Sequence, residues 1–241
     1  LGKTYFYVGA VVGEYYQWLD HIYNNQPKIF HLQHEYQFHS APRLKHLLAG
    51  CKARGVKTVV TQHTMNKDAV NQNEIIKEYA DLVLVHSEKN KEYANEVLGY
   101  GSVLAAPMGM SNLLPAGIPE THALFPGRHK IAFFGFAYYH KGVDIIINAM
   151  KDFPDSMFVF FSSKPKQDQV KYYEQCRAIL DSKGYVEHKD YIWFDHYVDE
   201  KEAIAYMATC DLICLPYKDY GGVGTSAAIS TVLQARVPVI T

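Results

Sequence analysis

The chain has 241 residues, with 24 basic and 25 acidic side chains and a formal net charge of −1. Its length fits one large domain or two of ordinary size, and an apolar content of 48% is too high for a disordered chain. The balance of charge provides no broad attraction to nucleic acid or to an anionic membrane, so nucleic acid is not an expected partner.

The N-terminal stretch at 5–25 is rich in aromatic side chains. Val11, Tyr15, Leu19 and Ile22 share one helical face, which is typical of core packing. Because Tyr and Trp also favour interfaces with one wet side, the alternative is a subunit contact or a peripheral membrane contact.

From residue 28 onward, short β-branched runs alternate with amphipathic stretches. The first half predicts strands at 28–33, 56–61, 81–86 and 102–106, and helices at 42–54, 71–80 and 88–98. The second half predicts strands at 130–135, 157–162, 191–194, 211–216 and 237–241, and helices at 141–151, 167–183, 199–209 and 225–236. Strands that are apolar on both faces and separated by helices indicate parallel sheets of βαβ units.

The alternation breaks once, at LLPAGIPETHALFPGRH (113–129), where three prolines and two glycines indicate a linker. We therefore predict an α/β fold with two Rossmann-like parallel-sheet domains, 1–112 and 130–241, that face a cleft.

Polar and small residues follow the predicted strands, and ligands of open α/β sheets bind beyond the carboxyl ends of strands. His63 comes directly after the second strand and is a candidate donor to a substrate hydroxyl. Glu35 follows the first strand and is a further polar candidate at this edge of the sheet. For both residues a structural role is the alternative.

Lys141 is predicted at the start of a helix, where the helix dipole disfavours a cation. Together with Gly142, which permits close backbone approach, it suggests an anion that bridges the lysine and the helix start. A solvated lysine is the alternative.

The stretch GGVGTS (221–226) lies between a buried strand and a predicted helix. We interpret it as a cradle for a phosphate, in which Gly221, Gly222 and Gly224 leave room for the anion while Thr225 and Ser226 offer donors at the helix start. The alternative is a loop with an ordinary helix cap. The stretch lacks the lysine of a P-loop, and no GxGxxG follows the first predicted strand, so neither nucleotide motif is present.

Neither the histidines nor the cysteines predict a metal site. The four cysteines form no CxxC pair, and the histidines match no known zinc spacing, so no metal and no cofactor is expected. No apolar stretch has the length of a membrane span and no signal peptide is visible, so a cytoplasmic location is expected.

Several blocks resemble the family-4 retaining glycosyltransferases, in the order in which that family has them: KIFHLQHEY, VVTQH, DLVLVHS, APMGM, IAFFGFAYYHKGVDIIINAM and DLICLPY…GTSAAIS…ARVPVIT. The resemblance implies the GT-B fold and covers most of the chain from about residue 28. It implies that His63 lies against the transferred sugar. It also implies that Lys141 contacts the donor's diphosphate and that Gly224, Thr225 and Ser226 form a helix start that points at it. Gly135, Gly142 and Tyr217, in the matched blocks, are further donor-binding candidates, and Glu35 is a candidate acceptor-side residue.

The chain departs from the family pattern at several positions. Phe136 stands where the family has an arginine after the strand glycine, and Val223 and Thr231 stand where it has a pair of glutamates. Arg236 replaces a family glycine, and the pattern places a first strand before Leu1 and a closing helix after Thr241, so we expect a chain shortened at both ends.

The resemblance implies metal-independent transfer of a sugar from a nucleoside-diphosphate sugar to a hydroxyl acceptor such as a glycan, with retention at the anomeric carbon. The lost arginine and glutamates favour one alternative, a non-catalytic protein of the same fold that binds nucleotides or glycans. A nucleotide-sugar epimerase of similar architecture is the other alternative.

Overall fold

The computed structural model describes residues 12–25, 27–109, 128–165, 170–219 and 223–241, and for 12–17 it describes the backbone alone. By contacts between residues the chain forms two compact units. Unit 1 contains the described residues up to Met108 together with 223–225, and unit 2 contains the remaining residues. Residues 110–127, which include most of the predicted linker, lie outside the described ranges.

Unit 1 is an α/β unit around a four-stranded parallel sheet with strand order β1-β2-β4-β5. Its elements, in chain order, are α1 (Val12–Asn25), β1 (Ile29–His34), α2 (Ala41–Ala53), β2 (Lys57–Gln62), β3 (Thr64–Met65), α3 (Val70–Tyr79), β4 (Leu82–Val85), α4 (Glu88–Glu96) and β5 (Val103–Ala105). Each strand of the sheet lies next to the strand that follows it, so the order runs in one direction.

Local chemistry explains several boundaries in unit 1. Pro42 stands in the first turn of α2, where its missing N–H costs nothing. Ser87 caps α4 by accepting a hydrogen bond from the Asn90 N–H at 3.1 Å. Leu19 and Ile22 of α1 are buried in the core, which confirms the core interpretation for these two residues; the side chains of Val11 and Tyr15 lie outside the described ones.

Unit 2 contains a five-stranded parallel sheet with strand order β11-β9-β6-β7-β8. The elements of the second half are β6 (His129–Phe134), α5 (Val143–Ala149), β7 (Ser156–Phe161), α6 (Val170–Ser182), β8 (Tyr191–Phe194), α7 (Glu200–Met207), β9 (Leu212–Cys214), β10 (Val223–Gly224), α8 (Ala227–Val232) and β11 (Val239–Ile240). Of these, β10 belongs to unit 1.

The core of unit 2 forms where apolar runs meet. All six residues of β7 are buried, as expected for a central strand of a parallel sheet covered on both faces. The helical stripe of Val143, Ile146, Ile147 and Met150 is buried in the same core, as the periodicity of these residues predicts.

Two predicted helix starts at candidate site residues differ from the structure, and one strand pair was not predicted. The helix predicted from residue 141 begins at Val143; Lys141 instead lies in a 3₁₀ turn, Tyr139–Lys141, and Gly142 separates the turn from the helix. The helix predicted from residue 225 begins at Ala227 and continues after Val232 as a 3₁₀ turn. Finally, β3 and β10 pair antiparallel, because Val223 lies opposite Met65 and Gly224 opposite Thr64.

None of the helices in the described ranges has the length and apolar character that crossing a bilayer requires.

Candidate functional site

The strand order of unit 2 reverses between two neighbouring strands. β7 and β8 lie on one side of β6, whereas β9 and β11 lie on the other. Ligands of doubly wound sheets bind outside the carboxyl ends of the strands at such a switch point. The segments that leave β6 and β9 at this edge, 135–142 and 215–219, therefore form the candidate site of unit 2.

Lys141 is the centre of this site. Its ammonium donates a hydrogen bond to the Ser226 hydroxyl at 3.1 Å and lies 4.2 Å from the centroid of the Tyr217 ring. The hydroxyls of Tyr217 and Ser226 are 2.8 Å apart. The structure thus brings three of the residues predicted for the donor site into one cluster.

The electrostatics of the cluster favour an anion. Burial lowers the pKa of Lys141, because the half-buried ammonium has lost part of its hydration. Within the described ranges no carboxylate forms an ion pair with this ammonium. Burial also raises the pKa of Tyr217, so its hydroxyl stays protonated at neutral pH. A desolvated cation without a countercharge is stabilised by a bound anion.

Gly142 allows the two loops of the site to approach each other. Its φ of +68° lies in the left-handed region, and a Cβ added there would lie 2.0 Å from the Pro216 carbonyl oxygen. The neighbouring donor-site glycine, Gly135, directly follows β6, and its N–H donates to the Phe161 carbonyl at 3.0 Å. Gly142 therefore joins the loop after β6 to the loop after β9.

A second cation in the segments of the site, Lys218, is already neutralised. The Lys218 ammonium lies 2.7 Å from the Asp144 carboxylate, and the Tyr172 hydroxyl donates to the same carboxylate. Burial would raise the pKa of Asp144, but the hydrogen bonds from Lys218 and Tyr172 outweigh it and the pKa lies below its ordinary value. Because Lys218 directly follows Tyr217, this ion pair holds the Tyr217 loop against α5.

Phe136 occupies the position at which the family resemblance has an arginine. Its side chain is 45% exposed, and its ring stacks on Tyr138 with centroids 5.4 Å apart and an interplanar angle of 19°. The loop after β6 therefore presents an aromatic surface at this position.

In unit 1, His63 belongs to a row of hydrogen bonds along the carboxyl ends of the strands. Its Nε2 lies 2.8 Å from the amide oxygen of Gln33, and its Nδ1 lies 2.9 Å from His86 Nε2. His86 Nδ1 lies 3.2 Å from the carbonyl oxygen of Ala106. Burial, followed by the nearby His86 and His31, lowers the pKa of His63, so the imidazole is neutral at neutral pH.

Glu35 lies in a separate group of contacts. Its carboxylate accepts a hydrogen bond from the Thr64 hydroxyl at 3.2 Å. The pKa of Glu35 lies above its ordinary value, because burial raises it by more than this hydrogen bond lowers it. Among the contacts of the described residues, none joins Glu35 directly to His63.

Gly224 and Thr225 pack within unit 1. A Cβ added at Gly224 would lie 3.0 Å from the His63 carbonyl oxygen, so the close pairing of β10 with β3 depends on this glycine. The Thr225 hydroxyl accepts from the Asn90 side chain at 3.4 Å. By contacts these two residues belong to unit 1, whereas Ser226, the next residue, belongs to unit 2.

Sequence reasoning missed His86, Gln33 and the pair of Lys218 and Asp144. His86 falls within a predicted strand, 81–86, but the observed strand ends at Val85. Had the predicted strand ended at Val85, His86 would have been counted among the polar residues that follow the strands.

The described residues contain no group of three or more His, Cys, Asp or Glu side chains that could hold a metal ion.

No protein-family model matches the chain, and no curated protein matches it. Solved structures of the same fold are found. Sucrose-phosphate synthase from Thermosynechococcus elongatus superposes with a TM-score of 0.76 at 12% identity, over 94% of this chain and 60% of that one. Anabaena HepE in complex with UDP and glucose has a TM-score of 0.73 at 13% identity, over 94% and 62%.

A UDP-forming α,α-trehalose-phosphate synthase from Burkholderia xenovorans, in complex with glucose-6-phosphate, has a TM-score of 0.67 at 12% identity, over 92% of this chain and 61% of that one. The chain has the GT-B glycosyltransferase fold over the part it covers. The predicted α/β architecture with parallel sheets is thereby confirmed. The chain spans about 60% of the length of these GT-B neighbours.

Proposed function

We propose that this protein is a glycosyltransferase that moves a sugar from a nucleoside-diphosphate sugar to a hydroxyl acceptor. The observation that carries the proposal is the half-buried Lys141 ammonium, which has no carboxylate partner among the described residues and lies at the switch point of the unit 2 sheet. The fold supports the proposal because its solved neighbours include several glycosyltransferases.

On the donor side, Lys141 binds the diphosphate. Its ammonium stabilises the negative charge that develops as the diphosphate leaves, and the hydroxyls of Ser226 and Tyr217 are the donors nearest to it. Gly142 holds this turn against the Pro216 carbonyl. For Gly135, Gly224 and Thr225 we propose backbone contacts to the donor, on the strength of the sequence resemblance alone.

In the proposed step the acceptor oxygen forms a bond to the anomeric carbon while the bond from that carbon to the diphosphate breaks. The acceptor proton passes to a phosphate oxygen of the leaving group. No carboxylate nucleophile is required, and attack from the face of the leaving group retains the configuration. We propose that Lys141 supplies the charge stabilisation that a metal ion provides in other transferases.

On unit 1, we propose that His63 contacts the transferred sugar and that Glu35 contributes to acceptor binding. HepE is in complex with UDP and glucose, and the trehalose-phosphate synthase with glucose-6-phosphate. We propose ligands of the same classes here, a nucleotide sugar as donor and a sugar hydroxyl as acceptor. The four free cysteines support a reducing location such as the cytoplasm.

One observation favours a second function. Phe136 presents an exposed aromatic ring at the position where the resemblance has an arginine. A protein that lost this cation while keeping the fold would bind nucleotides or glycans without transferring sugar. Such a protein would bind a nucleoside diphosphate but would release no sugar from the corresponding donor.

Titration calorimetry with UDP, GDP and ADP tests the donor site. Lys141→Met should lower the affinity for the nucleotide that binds best by roughly 10- to 100-fold. This change corresponds to about 1.5–3 kcal/mol, the range for a hydrogen bond to a charged group. The matched control is Lys151→Met, an exposed lysine of the same unit, which should bind as the native protein does.

Incubation with radiolabelled UDP-, GDP- and ADP-sugars then separates the two functions. Slow release of free sugar without acceptor, lost in Lys141→Met but not in Lys151→Met, supports a transferase. Binding without any release of sugar, with and without simple sugars as acceptors, supports the binding protein. Equal nucleotide affinity in both lysine variants would contradict both functions at this site.

A further inference from the structure

The row of hydrogen bonds through His63 fixes where its proton lies. The Ala106 carbonyl oxygen can only accept, so the His86 nitrogen beside it, Nδ1, must carry a proton. In a neutral His86 the other nitrogen, Nε2, is then an acceptor. Because His63 Nδ1 lies 2.9 Å from that acceptor, it must donate. A neutral His63 therefore has its proton on Nδ1 and a lone pair on Nε2.

Gln33, the remaining member of the row, is compatible with this form of His63 when its side-chain amide is turned. With its oxygen toward His63 Nε2, Gln33 would require protons on both nitrogens of His63, a charged state that burial disfavours. Turned by 180°, Gln33 donates its NH₂ to His63 Nε2 and offers its oxygen to His31 Nε2, which lies 3.2 Å from the other end of the amide and 2.7 Å from the Thr61 hydroxyl oxygen. A proton on His31 Nε2 is then shared between these two acceptors. In this arrangement no hydrogen bond of the row requires a doubly protonated His63.

Resting on the proposed function, we infer that His86 is a positioning residue that holds His63 in the Nδ1–H tautomer, so that His63 Nε2 accepts a hydrogen bond from a sugar hydroxyl. The expectation from sequence was that His63 donates to a substrate hydroxyl, and the row of hydrogen bonds reverses that direction. Gln33 is exposed on β1, so its amide can leave Nε2 when a hydroxyl replaces it.

The chemistry of the ligand follows from this direction. A hydroxyl that donates to Nε2 satisfies the site, whereas a carbonyl or ether oxygen would place two acceptors against each other. The backbone carbonyl of Ala106 makes the arrangement rigid, because it cannot exchange roles as a side-chain hydroxyl could.

Nuclear magnetic resonance of protein labelled with ¹⁵N in its histidines tests the inference without any substrate. At pH 7.5, long-range ¹H–¹⁵N spectra should show His63 protonated at Nδ1 and unprotonated at Nε2. In His86→Phe, which removes the acceptor, the proton of His63 should move largely to Nε2. In His86→Gln the amide oxygen replaces the lost nitrogen, so the Nδ1–H form should return.

Gln33→Ala is a further control, because the inference places the cause on the His86 side of the ring. This variant removes an exposed side chain and should leave the tautomer of His63 unchanged, even if His86→Phe fails to fold. Native His63 protonated at Nε2, or a tautomer that follows Gln33 rather than His86, would overturn the inference. Because the spectra require no sugar, a failure of sugar transfer and a failure of this inference are distinguishable.

Discussion

The two parallel sheets end in different kinds of polar edge. In unit 2 the strand order reverses between β6 and β9, and the Lys141 ammonium lies there beside the hydroxyl of Ser226, which contacts that of Tyr217. In unit 1 the four described strands follow one another in a single direction, and their ends carry side chains that bond from strand to strand. Ligands of open α/β sheets bind where the strand order reverses. In unit 1 the unbroken order instead brings side chains at neighbouring strand ends within hydrogen-bond distance of each other.

The two units also differ in how they respond to protons. In unit 1, burial lowers the pKa of four histidines, namely His31, His34, His39 and His63. In unit 2 the corresponding shift is found at His140. His34 is fully buried, and neither of its ring nitrogens has a hydrogen-bond partner among the residues that the structure describes. The chain carries one described tryptophan in each unit, Trp18 and Trp193, so the stability of each unit can be followed separately.

The largest expected effect is a loss of stability in unit 2 on substitution of Gly142. Gly142→Ala should lower the free energy of unfolding of unit 2 by more than about 3 kcal/mol. The substitution combines two costs: a left-handed backbone conformation at a residue with a Cβ, and a clash of that Cβ with the Pro216 carbonyl. The measurement is urea unfolding followed by Trp193 fluorescence in a Trp18→Phe background.

Gly184→Ala is the matched control in the same unit. Gly184 has a φ of +73° with nothing within 4 Å of its added Cβ, so the substitution carries the conformational cost alone, about 1–2 kcal/mol. Equal losses in the two variants would show that the approach of the two loops contributes nothing.

The second effect sharpens the contrast in acid stability. Burial, followed by His39 and His63, lowers the pKa of His34 from 6.5 to about 4, so between these values the unfolded state binds the proton and the folded state does not. The stability of unit 1 is therefore complete above pH 6.5 and falls as the pH drops toward 4. Between pH 7.5 and pH 4.5 the loss from His34 should be about 2–3 kcal/mol.

Urea midpoints at the two pH values, read from Trp18 in a Trp193→Phe background, measure this loss. His34→Phe should reduce it, whereas His129→Phe, at an exposed histidine of unit 2, should leave it unchanged. If the midpoints of unit 1 fall no further than those of unit 2, the contrast between the units is wrong.

The smallest effect compares two ion pairs of equal length. Lys218 and Asp144 of unit 2, and Lys57 and Asp81 of unit 1, each have a nitrogen–oxygen distance of 2.7 Å. The side chains of the first pair are 19% and 27% exposed, those of the second 71% and 38%. Lys218→Met should lower the free energy of unfolding by about 1–3 kcal/mol, because it leaves the partly buried Asp144 carboxylate without its cation. Lys57→Met should lower it by less than about 1 kcal/mol.

Unfolding of both variants, with the tryptophan of the affected unit as reporter, makes the comparison. A cost for Lys57→Met as large as that for Lys218→Met would show that burial does not govern the strength of these pairs.

Much of the fold follows from local pattern. The strand predicted at 191–194 is observed as Tyr191–Phe194, and most other strands of the two sheets lie within one residue of their predicted start, because apolar runs between polar turns mark buried strands. The two-residue strands β3 and β10 could not be predicted, since they have no periodicity and pair across 158 positions of the chain.

The site was predictable by residue but not by arrangement. Lys141, Tyr217 and Ser226 each lie near a predicted strand or helix end, yet their contacts depend on the neighbouring positions of β6 and β9. The contact of His63 with His86 likewise depends on the register of β2 and β4, which hydrophobic patterns do not contain. Lys141 was misplaced in a helix because the left-handed Gly142 interrupts a run that is otherwise helical.

The antiparallel pairing of β10 with β3 has a consequence for synthesis on the ribosome. Met65 emerges 158 residues before Val223, its partner in the pair. At a synthesis rate of about 5–20 residues per second, roughly 8–30 s pass between the synthesis of β3 and that of its partner strand. Throughout that interval the nascent chain exposes backbone groups at Thr64 and Met65 that are paired in the finished fold. A chaperone that acts on this protein during translation would have its longest opportunity there.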